Sequence, residues 1–112
     1  MRTQSEKATN YIANNPHVKA FIDEVNKEIL KETYRGPENF LVADIGNKFI
    51  RLWSDNSCWG FISRYDGVFK GVPIKKGDLL KAASWNAPAK HSRGNIIDGT
   101  ARWTVWGPTY LK

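Results

Sequence analysis

Residues 40–53 read FLVADIGNKFIRLW, and this stretch decides the fold that we predict. Two apolar runs, residues 40–45 and 48–53, flank the dipeptide Gly46-Asn47. A two-residue turn of this composition favours a β-hairpin between the runs on either side. The sequence therefore predicts an antiparallel strand pair near the middle of the chain.

The chain that follows the hairpin adds further strand patterns. The turn-forming residues 54–57 precede a third strand over residues 58–64, which makes an antiparallel meander. Glycine and proline interrupt residues 68–77, where we expect a loop with at most a short edge strand. Further along, residues 78–85 suit a buried strand or a helix turn, of which we favour the strand. We then predict a loop at 86–99 and a strand at 102–106 that Gly107-Pro108 ends.

Helical patterns occupy the chain before the hairpin. Ser5 can cap a short helix that ends near Asn14, and Asn15-Pro16 has the form of a second cap followed by proline. From Pro16 to Tyr34, apolar residues recur at intervals of three and four positions, as on one face of an amphipathic helix. This stripe consists of Val18, Phe21, Ile22, Val25, Ile29 and Leu30, and Gly36-Pro37 ends the helix.

These patterns together predict an α+β fold. Its N-terminal amphipathic helices would pack on a small twisted antiparallel β-sheet of four to five strands. We expect one domain over residues 1–112, helical over 5–35 and β-rich over 40–112, since 112 residues is an ordinary domain size.

Composition excludes several classes of protein. With 41% hydrophobic and 25% charged residues, the chain is typical neither of disordered nor of membrane-spanning proteins. The single cysteine, Cys58, cannot form an internal disulfide and indicates a reducing compartment. The polar N-terminus is unlike a signal peptide, and no apolar run approaches the ~20 residues of a membrane span. We therefore expect a cytoplasmic protein without a membrane partner.

Positive charge is concentrated in the second half of the chain. Residues 1–55 carry eight basic and eight acidic side chains, whereas residues 56–112 carry nine basic and three acidic ones. The whole formal net charge of +6 therefore belongs to the second half. Such an imbalance favours a polyanionic partner, because the summed field attracts and holds it. Ordinary solubilising charge is the alternative interpretation.

Residues 87–95, APAKHSRGN, combine small residues, cations and turn formers. Small residues let a backbone approach a ligand closely, while Lys90 and Arg93 supply charge for a phosphate. In the alternative, this is a well-packed loop in which the side chains of Arg93 and Asn95 bind the loop's own carbonyls. The residues that we expect to bind nucleic acid or another anion are Lys75, Lys76, Lys81, Trp85, Lys90, His91, Arg93, Gly94, Asn95, Arg102 and Trp103.

Five tryptophans lie in the predicted β-rich part, at positions 53, 59, 85, 103 and 106. Exposed rings on a sheet can stack on bases while nearby arginines hold phosphates. We expect Trp85 or Trp103 to stack in this way. Filling the core of a thin sheet is the alternative role for each ring.

Enzymatic signals are weak in this sequence. His91 could act as an acid or base beside Asp78 or Asp98, as in a nuclease or phosphoesterase. His17 lies at the start of the amphipathic helix, and Cys58 lies within a predicted strand, where a buried thiol is typically inert. We predict no catalytic residue, no metal site and no cofactor.

Residues 77–99, GDLLKAASWNAPAKHSRGNIIDG, and residues 106–111, WGPTYL, carry a family resemblance. They resemble a family of small uncharacterised tailed-bacteriophage proteins. The resemblance covers about the last third of the chain and implies a phage origin and expression in the bacterial host cytoplasm. It implies no established activity, so it assigns no functional residue.

The sequence thus predicts a small non-enzymatic phage accessory protein that binds nucleic acid through its basic C-terminal half. The alternatives are a modulator or inhibitor that binds a host bacterial protein, and a structural component of the virion.

Overall fold

Two helices precede nine short strands in this computed structural model, which describes residues 3–32, 34–84 and 87–109. The helices are α1 (Glu6–Ala13) and α2 (Pro16–Ile29), followed by a 3₁₀ turn at Pro37–Asn39. The strands are β1 (Leu41–Ile45), β2 (Phe49–Ser54), β3 (Ser57–Ser63), β4 (Gly67–Phe69), β5 (Val72–Ile74), β6 (Asp78–Ser84), β7 (Ala87–Asn95), β8 (Trp103–Thr104) and β9 (Gly107–Pro108).

The main sheet has five antiparallel strands in the order β1-β2-β3-β6-β7, with the N-terminal helices packed on it. This confirms the predicted α+β class. In the first hairpin, Ile45 pairs with Ile50, and the Gly46 N–H donates to the Phe49 carbonyl at 2.9 Å. The pairs β4–β5 and β8–β9 form two small separate hairpins.

The apolar stripe of α2 packs against one face of the main sheet. Val18, Phe21, Ile22, Val25 and Ile29 are all buried, together with sheet residues such as Leu52 and Ile62. Leu30 is 54% exposed, and the helix ends at Ile29 rather than at the predicted Tyr34. The last turn tightens there, since the Lys31 and Glu32 N–H groups each donate to a carbonyl three residues earlier. The apolar stripe is therefore buried only as far as Ile29.

Both predicted helix starts are correct in position. The Ser5 side chain accepts a hydrogen bond from the Ala8 N–H at 3.1 Å, as expected of an N-cap. Asn15 occupies the cap position of α2, but its side-chain amide donates to the Tyr11 carbonyl at 2.7 Å instead of capping.

The second face of the sheet has its own aromatic cluster. Phe61 and Leu80 are buried there, and the β4–β5 hairpin contributes Ile74 and Phe69. The Phe49 ring lies edge-on to Phe69, with 4.9 Å between the ring centroids. The five-stranded sheet is therefore apolar on both faces, with helices on one and a hairpin on the other.

The predicted loop over residues 86–99 is wrong for most of its length. Residues 87–95 form β7, an edge strand of the sheet, and residues 96–99 form a turn. The pairing of β6 with β7 contains three register shifts, so the strand does not show regular alternation. The extended form of β7 depends on hydrogen bonds to the neighbouring strand β6, so the local sequence pattern does not predict it.

Two other boundaries also differ from prediction. Residues 68–77 contain most of a two-strand hairpin where we expected at most one edge strand. In the predicted strand at 102–106, only Trp103–Thr104 is extended, and it pairs with Gly107–Pro108 across a turn at Val105-Trp106. Neither described helix is long and apolar enough to cross a membrane.

Candidate nucleic-acid interface

Basic residues lie along the edge strand β7. Lys90 and His91 are exposed on it, and Arg93 is half-buried. The Arg102 N–H donates to the Arg93 carbonyl at 2.7 Å, so the exposed Arg102 lies beside the same strand. We call Lys90, His91, Arg93 and Arg102 the basic edge. The structure therefore brings together four of the residues that the sequence selected.

Arg93 is largely engaged in internal hydrogen bonds. Its Nε donates to the Thr109 carbonyl at 3.0 Å, and its Nη1 donates to the His91 carbonyl. Partial burial lowers the pKa of Arg93, because desolvation penalises the charged guanidinium. The group stays protonated and adds to the local positive field. The bond to His91 matches the alternative in which Arg93 binds a carbonyl of its own segment, whereas the bond to Thr109 reaches outside that segment.

Asn95 is a structural residue at the end of β7. It is 8% exposed, and its side-chain amide donates to the Lys76 carbonyl at 2.9 Å and to Asp78 Oδ1 at 3.0 Å. Its own Oδ1 accepts the Ile97 N–H at 2.7 Å. Both amide hydrogens are thus used, and Asn95 has no donor left for an anion.

Gly94 is required by the backbone rather than by a ligand. Its φ is +94°, and a Cβ at this position would lie 2.0 Å from the Thr100 carbonyl oxygen. Only glycine fits this close approach between β7 and the segment before β8.

The three lysines before and within β6 lie in different surroundings. Lys75 and Lys76 are exposed on the turn that precedes the strand. Lys81 is half-buried, and its Nζ donates to the Pro108 carbonyl of β9 at 3.2 Å. Lys75 and Lys76 therefore flank the asparagine end of β7, whereas Lys81 is held by β9.

Little acidic charge balances the basic edge. In the described part of the chain, the ion pairs are Lys19–Asp23 on α2 and Lys31–Glu28 at its C-terminal end, and none involves Lys90 or Arg102. Hydrogen bonds from Thr100 hold the pKa of Asp98 below its ordinary value, with Lys75 contributing. That carboxylate is exposed and stays ionised at neutral pH.

Trp103, one of the two rings expected to stack on bases, does not lie on an open surface. The Trp103 ring packs in the helix-side core, with its centroid 5.9 Å from Phe21 and 6.4 Å from Trp59. Trp85 lies outside the described residues. Trp106, which the sequence did not single out, is 69% exposed, and the Arg35 guanidinium lies 4.4 Å from its ring centroid.

A groove of about 400 Å³ on the second face was also not predicted. Its walls include Asp44 of one edge strand and Pro88 of the other. In a flat sheet of five strands spaced ~4.8 Å apart, the edge strands β1 and β7 would lie about 19 Å apart. Because residues of both edge strands line one groove, the sheet must curl. Arg51 and Phe61 also line the groove. The sequence signal that could have indicated this groove is the alternation along β2, which places Phe49 and Arg51 on the same face of the sheet.

Among the described residues, no three His, Cys, Asp or Glu side chains are grouped so as to hold a metal ion. No curated protein and no solved structure shows significant similarity to this chain. One family model matches residues 5–109, which include both helices and all nine strands. The chain therefore belongs to a family of unknown function, DUF7717.

Proposed function

We propose that this protein binds nucleic acid without catalysing a reaction, through the backbone phosphates and the basic edge. The observation that carries the proposal is that Lys90, His91 and Arg93 lie on the edge strand β7 and that Arg102 lies beside it. Phosphate contacts supply most of the affinity of non-specific nucleic-acid binding. In the part of the chain that the structure describes, neither Lys90 nor Arg102 forms an ion pair, so both can provide that kind of contact.

The dimensions of the edge fit a nucleic-acid strand. A β-strand rises ~3.3 Å per residue, so Lys90 and Arg93 stand about 10 Å apart along β7. Phosphates of one strand in a duplex follow one another every ~3.4 Å along the axis. The edge therefore spans a short run of phosphates, while Lys75 and Lys76 add attraction from its far end.

A phage setting is part of the same proposal. The resemblance of residues 77–99 to small tailed-bacteriophage proteins supports an accessory role in the cytoplasm of a bacterial host. In that setting, nucleic acid is the abundant polyanion that a positively charged half-domain would meet.

The test is a fluorescence anisotropy titration of labelled single-stranded DNA, duplex DNA and RNA at several salt concentrations. We expect the variant Lys90→Gln/Arg102→Gln to bind about tenfold more weakly. For single strands, the slope of log affinity against log salt concentration should become shallower by about 1.4. The matched control is Lys27→Gln/Lys31→Gln, which removes the same charge from exposed positions in the last turn of α2 and just after it.

Equal losses in the two variants would refute a role of the basic edge, because only the total charge would then matter. Absence of binding to all three nucleic acids at low salt would refute the proposed function. Cleavage of the bound strand, lost in His91→Ala, would instead establish the nuclease alternative.

A second function, binding of a host bacterial protein, is favoured by one surface feature. Tyr34 is 95% exposed and Trp106 is 69% exposed, and Arg35 lies against the Trp106 ring. Tryptophan, tyrosine and arginine are the residues that dominate protein-binding hot spots. A partner retained from nuclease-treated host lysate by the wild type, and lost with Trp106→Ala, would support this function over the first.

A further inference from the structure

A small apolar cavity lies between the start of α2 and the main sheet. Its volume is about 160 Å³, and its wall includes Ile50, Ile62 and Ile96. An apolar cavity of ~150 Å³ in a protein core stays dry and accepts benzene. The space is therefore large enough for one benzene-sized apolar group.

The lining of this cavity includes one cationic side chain. Lys76 belongs to it, and none of the described residues that line it is Asp or Glu. A charged group that entered with the apolar body would thus meet a cation and no carboxylate of the lining. This charge complementarity selects an anion over a cation.

The first turn of α2 adds hydrogen-bond donors to the same wall. His17 and Val18 both line the cavity, and both lie in the first turn, whose N–H groups have no partner within the helix. The side chain of Asn15 donates to the Tyr11 carbonyl instead of accepting from these groups. The first turn contains no acidic residue either. A carboxylate placed there would accept the unused hydrogen bonds and face the positive end of the helix.

We propose that this cavity binds a small monocarboxylate with a benzene-sized apolar body. The ring lies between Ile50, Ile62 and Ile96, and the carboxylate faces the first turn of α2 beside Lys76. The site is separate from the basic edge and does not depend on nucleic-acid binding.

Titration calorimetry with benzoate, and with the neutral benzamide of the same shape, tests the proposal on the whole chain. We expect benzoate to bind in the millimolar range and benzamide to bind at least about fivefold more weakly. Lys76→Gln should weaken benzoate binding by about two- to fivefold and leave benzamide unchanged. Lys27→Gln, which removes the same charge at the other end of α2, should change neither affinity.

A second variant locates the binding. Ile96→Phe adds bulk at the cavity wall, and we expect it to abolish benzoate binding while the thermal midpoint stays within a few degrees of wild type. Circular dichroism and the intrinsic tryptophan fluorescence check that the variant is folded. Unchanged benzoate binding in folded Ile96→Phe would overturn the proposed location. Equal affinities for benzoate and benzamide, or no benzoate binding at all, would overturn the proposed ligand class.

Discussion

Gly94 shows how a single backbone angle holds the end of β7 in place. Because its φ is +94° and a Cβ would lie 2.0 Å from the Thr100 carbonyl oxygen, an added methyl must push two backbone segments apart. We expect Gly94→Ala to lower the free energy of unfolding by about 3 kcal/mol or more. Urea denaturation followed by tryptophan fluorescence measures this loss.

Gly99 provides the control for that prediction. Its φ is +80°, but a Cβ there would meet no heavy atom within 4 Å. Gly99→Ala therefore has only the left-handed backbone cost, about 1 kcal/mol. Equal losses in the two variants would show that the steric contact with Thr100 has no effect on stability.

Asp98 gives the protein a pH-dependent contact. The Thr100 hydroxyl and N–H both donate to its Oδ1, and these bonds hold the pKa of the carboxyl below its ordinary value of 3.8. A carboxyl with a depressed folded-state pKa stabilises the fold above its unfolded pKa. That contribution is lost as the pH falls through the folded-state pKa of the carboxyl.

We therefore expect Asp98→Asn to reduce the acid sensitivity of the fold. Between about pH 6 and pH 2.5, the thermal midpoint of the variant should fall less than that of wild type. Parallel midpoint curves for the two proteins would contradict the predicted coupling between Asp98 and Thr100.

At the scale of the element, the first helix depends on its cap. The Ser5 hydroxyl accepts the Ala8 N–H at 3.1 Å, and Glu6 lies in the first turn, where the helix dipole favours negative charge. We expect Ser5→Ala to cost about 1 kcal/mol of stability, measured by urea denaturation. Ser5→Asp retains a capping oxygen and should stay close to wild type. A loss in Ser5→Asp equal to that in Ser5→Ala would contradict the capping role.

The helices and the first three strands could be predicted because their signals are local. The α2 stripe repeats every three to four residues, and the β1–β2 hairpin has a turn signal between two apolar runs. The strand β7 has neither signal, since small and polar residues fill it and its pairing with β6 shifts register three times. Its extended form comes from partners distant along the chain, which a local pattern does not contain.

The same distinction between local signals and distant contacts applies to the candidate site. Residue type was enough to predict that Lys90, His91 and Arg102 are polar side chains at an exposed surface. It could not show that Arg93 donates to Thr109, 16 residues away, or that Asn95 donates to Lys76, 19 residues away. Tertiary contacts therefore decide which polar groups remain available to a ligand.

At the scale of the whole molecule, the helices and the sheet share one core. Phe21 of α2 contacts Trp59 of β3 and Trp103 of β8, with 5.9 Å between the ring centroids in each pair. The same sheet carries the second cluster around Phe61 on its other face. Because both clusters include β3, we expect the described helices and strands to unfold together.

Phe21→Ala tests this coupling. Removing a buried phenylalanine costs about 3–5 kcal/mol, a large part of the 5–15 kcal/mol that stabilises a typical domain. Far-ultraviolet circular dichroism reports on the helices, and tryptophan fluorescence reports on the shared core, so both should shift to the same lower denaturant midpoint. Leu30→Ala, at an exposed position just past α2, should shift neither by much. If helical signal were lost at lower denaturant than the fluorescence change, the helices would form a separate folding unit and the shared core would not couple them to the sheet.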